Sequence, residues 1–199
     1  MVKKTIIGVM TMAIKVYIDQ GHNPSPPNTG AEGNGYREQD ITYQVGTRLA
    51  TLLRNNGNFD VRLSRPTPQT QLGTSNASSL RVRVDEANSW GADYFISIHT
   101  NASVSPNANG TEVLVYSSPS RSATLAEDVL REVTEITGFE DRGVKLRPGL
   151  YVLKKTNMPA ILVELGFISN PYEASFMANN PGLFAQGIYQ GLLDYLSLS

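Results

Sequence analysis

Ala160-Ile-Leu-Val-Glu-Leu-Gly-Phe-Ile-Ser-Asn170 sets an ionisable side chain, Glu164, inside an apolar β-run. Desolvating a carboxylate costs several kcal/mol unless a partner or a metal compensates, so the position asks for a chemical reason. Two further segments repeat the arrangement. Lys15-Val-Tyr-Ile-Asp-Gln-Gly-His22 and Asp93-Tyr-Phe-Ile-Ser-Ile-His99 are short β-branched or aromatic runs that end in histidine. The chain has only these two histidines, and both stand where a strand should stop.

Strands alternate with helices along the rest of the chain. Strand 14–19 precedes a polar loop over 20–37, rich in Asn, Pro and Gly. Within 38–55, Ile41, Val45, Leu49, Leu52 and Leu53 recur at helical spacing. A strand at 59–64, a loop at 65–79 and a helix at 80–90 follow. Residues 93–98 and 111–116 read as strands on either side of a loop, and 122–137 as an amphipathic helix stopped by Gly138. Residues 143–154 read as extended, 159–164 as a strand, and 172–179 and 181–197 as helices. The alternation predicts an α/β fold, a mostly parallel, about six-stranded twisted sheet with helices on both faces. Ligands of such sheets bind outside the carboxyl ends of the strands. His22, His99 and Glu164 all fall at or just beyond those ends.

At 199 residues the chain suits one sizeable core, and a single domain is expected over 14–199. Lys3-Lys4 followed by Ile6–Ala13 has the charge-then-apolar order of a secretory signal. Its apolar stretch is only about eight residues and no small-x-small cleavage site follows. Met12 reads equally well as a start, so residues 1–13 are an N-terminal extension or a vestigial signal-like segment. The stretch is too short to span a bilayer. A net charge of −1 with no basic block argues against nucleic-acid binding or anionic membranes through bulk electrostatics. With no cysteine, any metal must be held by imidazole and carboxylate.

A lone histidine at a strand end is usually structural, but two in the same topological position weaken that reading. Glu38 opens the first predicted helix, where the helix dipole favours a carboxylate on its own account. It also follows the loop from His22, so its side chain can reach the carboxyl edge of the sheet. Two imidazoles and one carboxylate with an open fourth position form a common catalytic zinc shell, which brings bound water to a pKa of about 7. Glu164 then suits the general base that later hands the proton to a leaving amine.

The order Asp19-Gln-Gly-His22, Arg37-Glu-Gln-Asp40, Ser97-Ile-His-Thr-Asn-Ala102 and Val163-Glu-Leu-Gly-Phe-Ile-Ser-Asn170 resembles the zinc-dependent N-acetylmuramoyl-L-alanine amidases. These peptidoglycan hydrolases form the type-3 amidase family. The resemblance covers 14–197, and its last motif is the most specific. It implies one zinc per chain held by His22, Glu38 and His99, with Glu164 as the catalytic acid/base. It implies hydrolysis of the amide between the lactyl group of N-acetylmuramic acid and L-alanine, at the bacterial cell wall outside the cell. Peptidoglycan or muropeptides are the expected substrate and a monomer the expected state. A targeting or activating protein, an export segment or cell lysis would bring the chain to the wall. Gln20, Asn23 and the proline-rich loop 23–28 depart from the family pattern, which bears on substrate contacts more than on the metal.

Several residues carry two readings. Asp19 orients His22 from behind or forms the turn before Gly21. Asn101 binds substrate or caps its own loop. Arg142, Lys145, Arg147 and Lys154-Lys155 bind stem-peptide carboxylates or keep a sheet edge solvated. Two other functions stay open: a zinc carboxypeptidase or aminopeptidase acting on peptides, and a non-catalytic wall-binding module.

Overall fold

The computed structural model describes residues 12–198, so the signal-like segment lies outside it except for its last two residues. The elements are β1 (Ile14–Gln20), a hairpin of β2 (Glu32–Gly33) and β3 (Tyr36–Arg37), α1 (Glu38–Asn56), β4 (Phe59–Leu63) and α2 (Asn76–Trp90). Next come β5 (Tyr94–Asn101), β6 (Thr111–Val115), α3 (Arg121–Thr137), β7 (Asp141–Leu146), α4 (Tyr151–Lys155) and β8 (Ala160–Phe167). Helices α5 (Pro171–Asn179) and α6 (Pro181–Leu196) complete the order. The main sheet runs β4-β1-β5-β8-β6-β7. Strands β4, β1, β5 and β8 are mutually parallel, while β6 pairs antiparallel with β8 and parallel with β7. A parallel return needs a crossover of a dozen or more residues. Residues 102–110 carry no helix, so the chain reverses direction into β6 instead.

Pleat alternation sorts the side chains onto two faces. Val16, Ile18, Ile96, Ile98, Ile161 and Val163 face a large core closed by α1, α3 and α6. Tyr17, Phe95, Leu114 and Leu162 face a smaller core closed by Val84 and Ala87 of α2 and by Val152 and Leu153 of α4. Helices α3 and α6 pack closely because Gly191 has no side chain. A Cβ there would stand 2.5 Å from Val129 Cα, well inside van der Waals contact.

Three expectations are corrected. The extended reading of 143–154 holds only as far as Leu146; Pro148-Gly149 breaks the strand, and 151–155 is a short helix that buries Val152 and Leu153. The helix expected at 80 begins at Asn76, because Ser75 and Ser78 exchange capping hydrogen bonds there. The polar loop 20–37 contains the β2–β3 hairpin, turned at Asn34-Gly35 and fastened by Asn34 Nδ2 donating to the Ile168 carbonyl at 2.9 Å.

Candidate metal centre and active site

Three strands and one helix deliver the candidate residues to the carboxyl edge of β1, β5 and β8. In the sheet register Asp19 stands beside Ser97, and two rows further His99 stands beside Glu164, which in turn stands beside Glu112. Gly21 and His22 leave β1 at the same level, with the Gly21 N–H donating to the Ile98 carbonyl at 3.0 Å. A Cβ on Gly21 would lie 2.5 Å from His99 Cε1, so only glycine lets the two ligand-bearing segments approach this closely. Strand β5 runs on to Asn101 and β8 to Phe167, beyond the ends expected from sequence. His99 and Glu164 therefore project from the last part of each strand.

Glu38, the first residue of α1, joins the two histidines. Its Oε1 lies 3.0 Å from His99 Nδ1 and 3.2 Å from His22 Nε2. The Thr100 N–H donates to the same oxygen at 2.9 Å, and the Ala31 N–H to Oε2 at 2.9 Å. One donor atom from each of His22, Glu38 and His99 fits within 4.8 Å of the others. Burial pushes the Glu38 carboxyl up, but hydrogen bonds and charge from His22 and His99 hold it well below the carboxylate range. This carboxylate is 3 % exposed and meets only imidazoles and backbone N–H groups, with no lysine or arginine in ion-pair reach among the described residues. A buried charge of that kind calls for a cation. An imidazole–imidazole–carboxylate set suits zinc, so the residues fit the ion that the sequence predicts.

Glu164 sits between His99 and Glu112 in the row. Its Oε2 is buried with no hydrogen-bond partner in the described structure. Burial, followed by the like charges of Glu38 and Glu112, pushes its carboxyl up to about 8, and Arg147 pulls it partly back. Glu112 was not singled out from the sequence. It lies 3.2 Å from Arg142 Nε and accepts from Asn101 Nδ2 at 3.2 Å, so these three side chains form one wall beside Glu164. Arg142 also stacks over Phe167 at 4.9 Å and donates to the Asn109 carbonyl. Arg147 is exposed at the end of the β7 segment.

Asp19 makes no hydrogen bond to His22. Its Oδ1 pairs with Arg83 and its Oδ2 accepts from Ser97 Oγ at 2.8 Å, all of them buried. Arg83 also holds the turn that carries the first histidine: Nη1 donates to the Gln20 carbonyl at 2.8 Å and Nη2 to the His22 carbonyl at 2.7 Å. His22 has a left-handed backbone with φ of 69°, an uncommon state for a residue with a side chain. Arg83 is thus the clamp on the His22 turn, and sequence reasoning passed over it. Its signal was a charge in register with Leu80, Val84 and Ala87 on the buried stripe of α2.

Comparisons with known proteins follow the same geometry. The profile of the family described as N-acetylmuramoyl-L-alanine amidase matches residues 16–194. The amidase CwlM of Bacillus licheniformis is 38 % identical over 190 residues, covering 94 % of this chain and 70 % of the relative. A sporulation-specific N-acetylmuramoyl-L-alanine amidase of Bacillus subtilis is 35 % identical over 180 residues, covering 89 % of this chain and 65 % of the relative. The chain thus spans about two thirds of each relative's length. The crystal structure of an N-acetylmuramoyl-L-alanine amidase from Clostridium difficile 630 superposes with a TM-score of 0.84 at 32 % identity, covering 94 % of this chain and 98 % of the other.

Proposed function

The chain belongs to the N-acetylmuramoyl-L-alanine amidase family, and from that premise we propose how it opens the amide between the N-acetylmuramic acid lactyl group and L-alanine in peptidoglycan. His22, Glu38 and His99 would hold one zinc ion. A divalent cation held there would polarise the amide carbonyl, activate water at neutral pH and offset the like charge that keeps a proton on Glu164. Glu164 takes the proton of the attacking water as its oxygen bonds to the lactyl carbonyl carbon. As the carbon–nitrogen bond breaks, Glu164 returns that proton to the departing amino group of L-alanine. Arg83 and Asp19 fix the His22 turn from below, and Gly21 admits the His99 ring. The Glu112–Asn101–Arg142 wall fixes the side of the site towards β6. The charge of Arg147 acts on Glu164, which supports a part for this side chain in binding a stem-peptide carboxylate.

The single observation that carries this reading is the row His99–Glu164–Glu112, with Glu38 closing on both histidines. It separates a metal-competent set from an adjacent, unpartnered proton carrier. We read 14–199 as a single catalytic domain acting at the cell wall; the family match over 16–194 supports its extent. Metal analysis tests the ligand set. Wild-type protein loaded with zinc and desalted should carry about one ion per chain, and His99→Ala should lose it. Full retention of zinc in His99→Ala would remove His99 from the shell.

A further inference from the structure

We propose that the groove between the outer edge of β4 and helix α2 is a second, saccharide-binding site that holds the glycan strand away from the hydrolytic centre. Its volume of about 890 Å³ lies within the range of small-molecule pockets. Helix α2 separates the two sites. Leu80 and Arg83 line the small cavity beside His22 and His99, whereas Asp85, Glu86 and Trp90 line the groove.

Trp90 is the only tryptophan of the chain and is half-buried. The Arg62 guanidinium lies 4.7 Å from its ring centroid and the Lys15 ammonium 5.6 Å. Arg62 stands opposite Tyr17 in the sheet register, on the α2 face, and is exposed. Cation–π contacts at exposed sites are weak, so its long side chain can leave the ring for a ligand. On the far wall Tyr17 Oη donates to Glu86 Oε2 at 2.7 Å and fixes that carboxylate at the groove.

A pyranose ring presents an apolar face of C–H groups and a rim of hydroxyl and acetamide groups that both donate and accept. The groove answers each part: Trp90 as the flat platform, Asp85 and Glu86 as acceptors, Arg54 and Arg62 as donors. Two lining carboxylates against two lining guanidiniums, with the Lys15 ammonium at Trp90 besides, leave no large excess of either sign, which favours a neutral, hydroxyl-rich ligand over a polyanion or a polycation. The inference rests on the peptidoglycan reading of the substrate. A second contact on the same polymer raises the effective concentration of scissile bonds at the first site.

Fluorescence of Trp90 reads the groove directly, because the chain has no other tryptophan. Titration of the whole chain with an N-acetylglucosamine tetramer, which carries no stem peptide, is expected to give a saturable spectral shift. Arg62→Ala and Asp85→Ala should weaken that binding roughly tenfold. On intact sacculi Trp90→Ala should cut the rate several-fold yet match wild type on a soluble muramyl tripeptide, and Arg62→Ala should show the same split if Trp90→Ala folds poorly. Absence of a saturable shift overturns the proposal, as does a shift produced by free stem peptide in place of the saccharide. Equal loss on both substrates also overturns it. The titration needs no turnover, so a wild type that leaves muramyl peptides uncut would refute the hydrolase reading separately.

Discussion

Glu164 and Asp19 are both carboxylates, on the strands that flank β5, yet their surroundings drive them apart. Glu164 meets burial and two like charges, and keeps its proton to about pH 8 in the absence of a cation. Glu164→Gln keeps the shape but cannot accept a proton, so turnover should fall by about 10²–10⁴-fold with zinc content unchanged. Loss of zinc in that variant would make Glu164 a ligand. Burial alone would also raise Asp19, but the Arg83 guanidinium, then His99 and the bonds from Arg83 and Ser97, hold its carboxyl below the usual 3.8. A lowered folded pKa means that the native state prefers the ionised form. That stability is complete above about pH 4 and is lost as pH falls through the lower folded value. Asp19→Asn leaves Arg83 buried and unpaired, and should cost about 3–5 kcal/mol at pH 7. The gap to wild type, followed by urea unfolding in chelator, should narrow as pH drops from about 5 towards 2; a gap constant with pH would deny Asp19 this role. His22, His99 and Glu164 were legible because each breaks the pattern of its strand. Glu112 was not, since its meaning arises only when β6 returns antiparallel beside β8.

At the scale of elements, the site depends on strands that end at one level and on helices held close enough to keep them there. Helix α1 supplies Glu38 from its first turn, and its buried stripe of Ile41, Val45, Leu49 and Leu53 anchors it to the large core. That stripe was readable as a period. The short helix α4 was not, because one turn is too brief to show a period, and the apolar Leu150–Leu153 run suits a strand equally well. Packing of α3 on α6 was equally invisible: by propensity a glycine inside a helix only weakens it, while Gly191 contributes the close approach to Val129. Gly191→Ala should therefore destabilise the fold by about 1–3 kcal/mol, as overpacking does, despite alanine's better helix propensity. Urea midpoints check this, with zinc content expected to remain that of wild type. A stabilised Gly191→Ala would show that the α3–α6 interface yields easily.

For the whole molecule, one sheet with a core on each face brings residues from positions 22, 38, 99 and 164 to a single edge. The α/β class and the placement of the site at the carboxyl ends followed from the alternation of strands and helices. The reversal of β6 and β7 did not: the short 102–110 connection disfavours a parallel crossover, but it does not reveal that β8 comes to lie between β5 and β6. The central claim concerns which bond this assembled edge cuts. Mass spectrometry of purified peptidoglycan digested with the zinc-loaded protein answers that most directly. The account predicts intact stem peptides with a free L-alanine amino terminus and glycan strands bearing unsubstituted lactyl groups. Stem peptides shortened from the carboxyl end, with the lactyl amide intact, would contradict it and leave a zinc peptidase in its place.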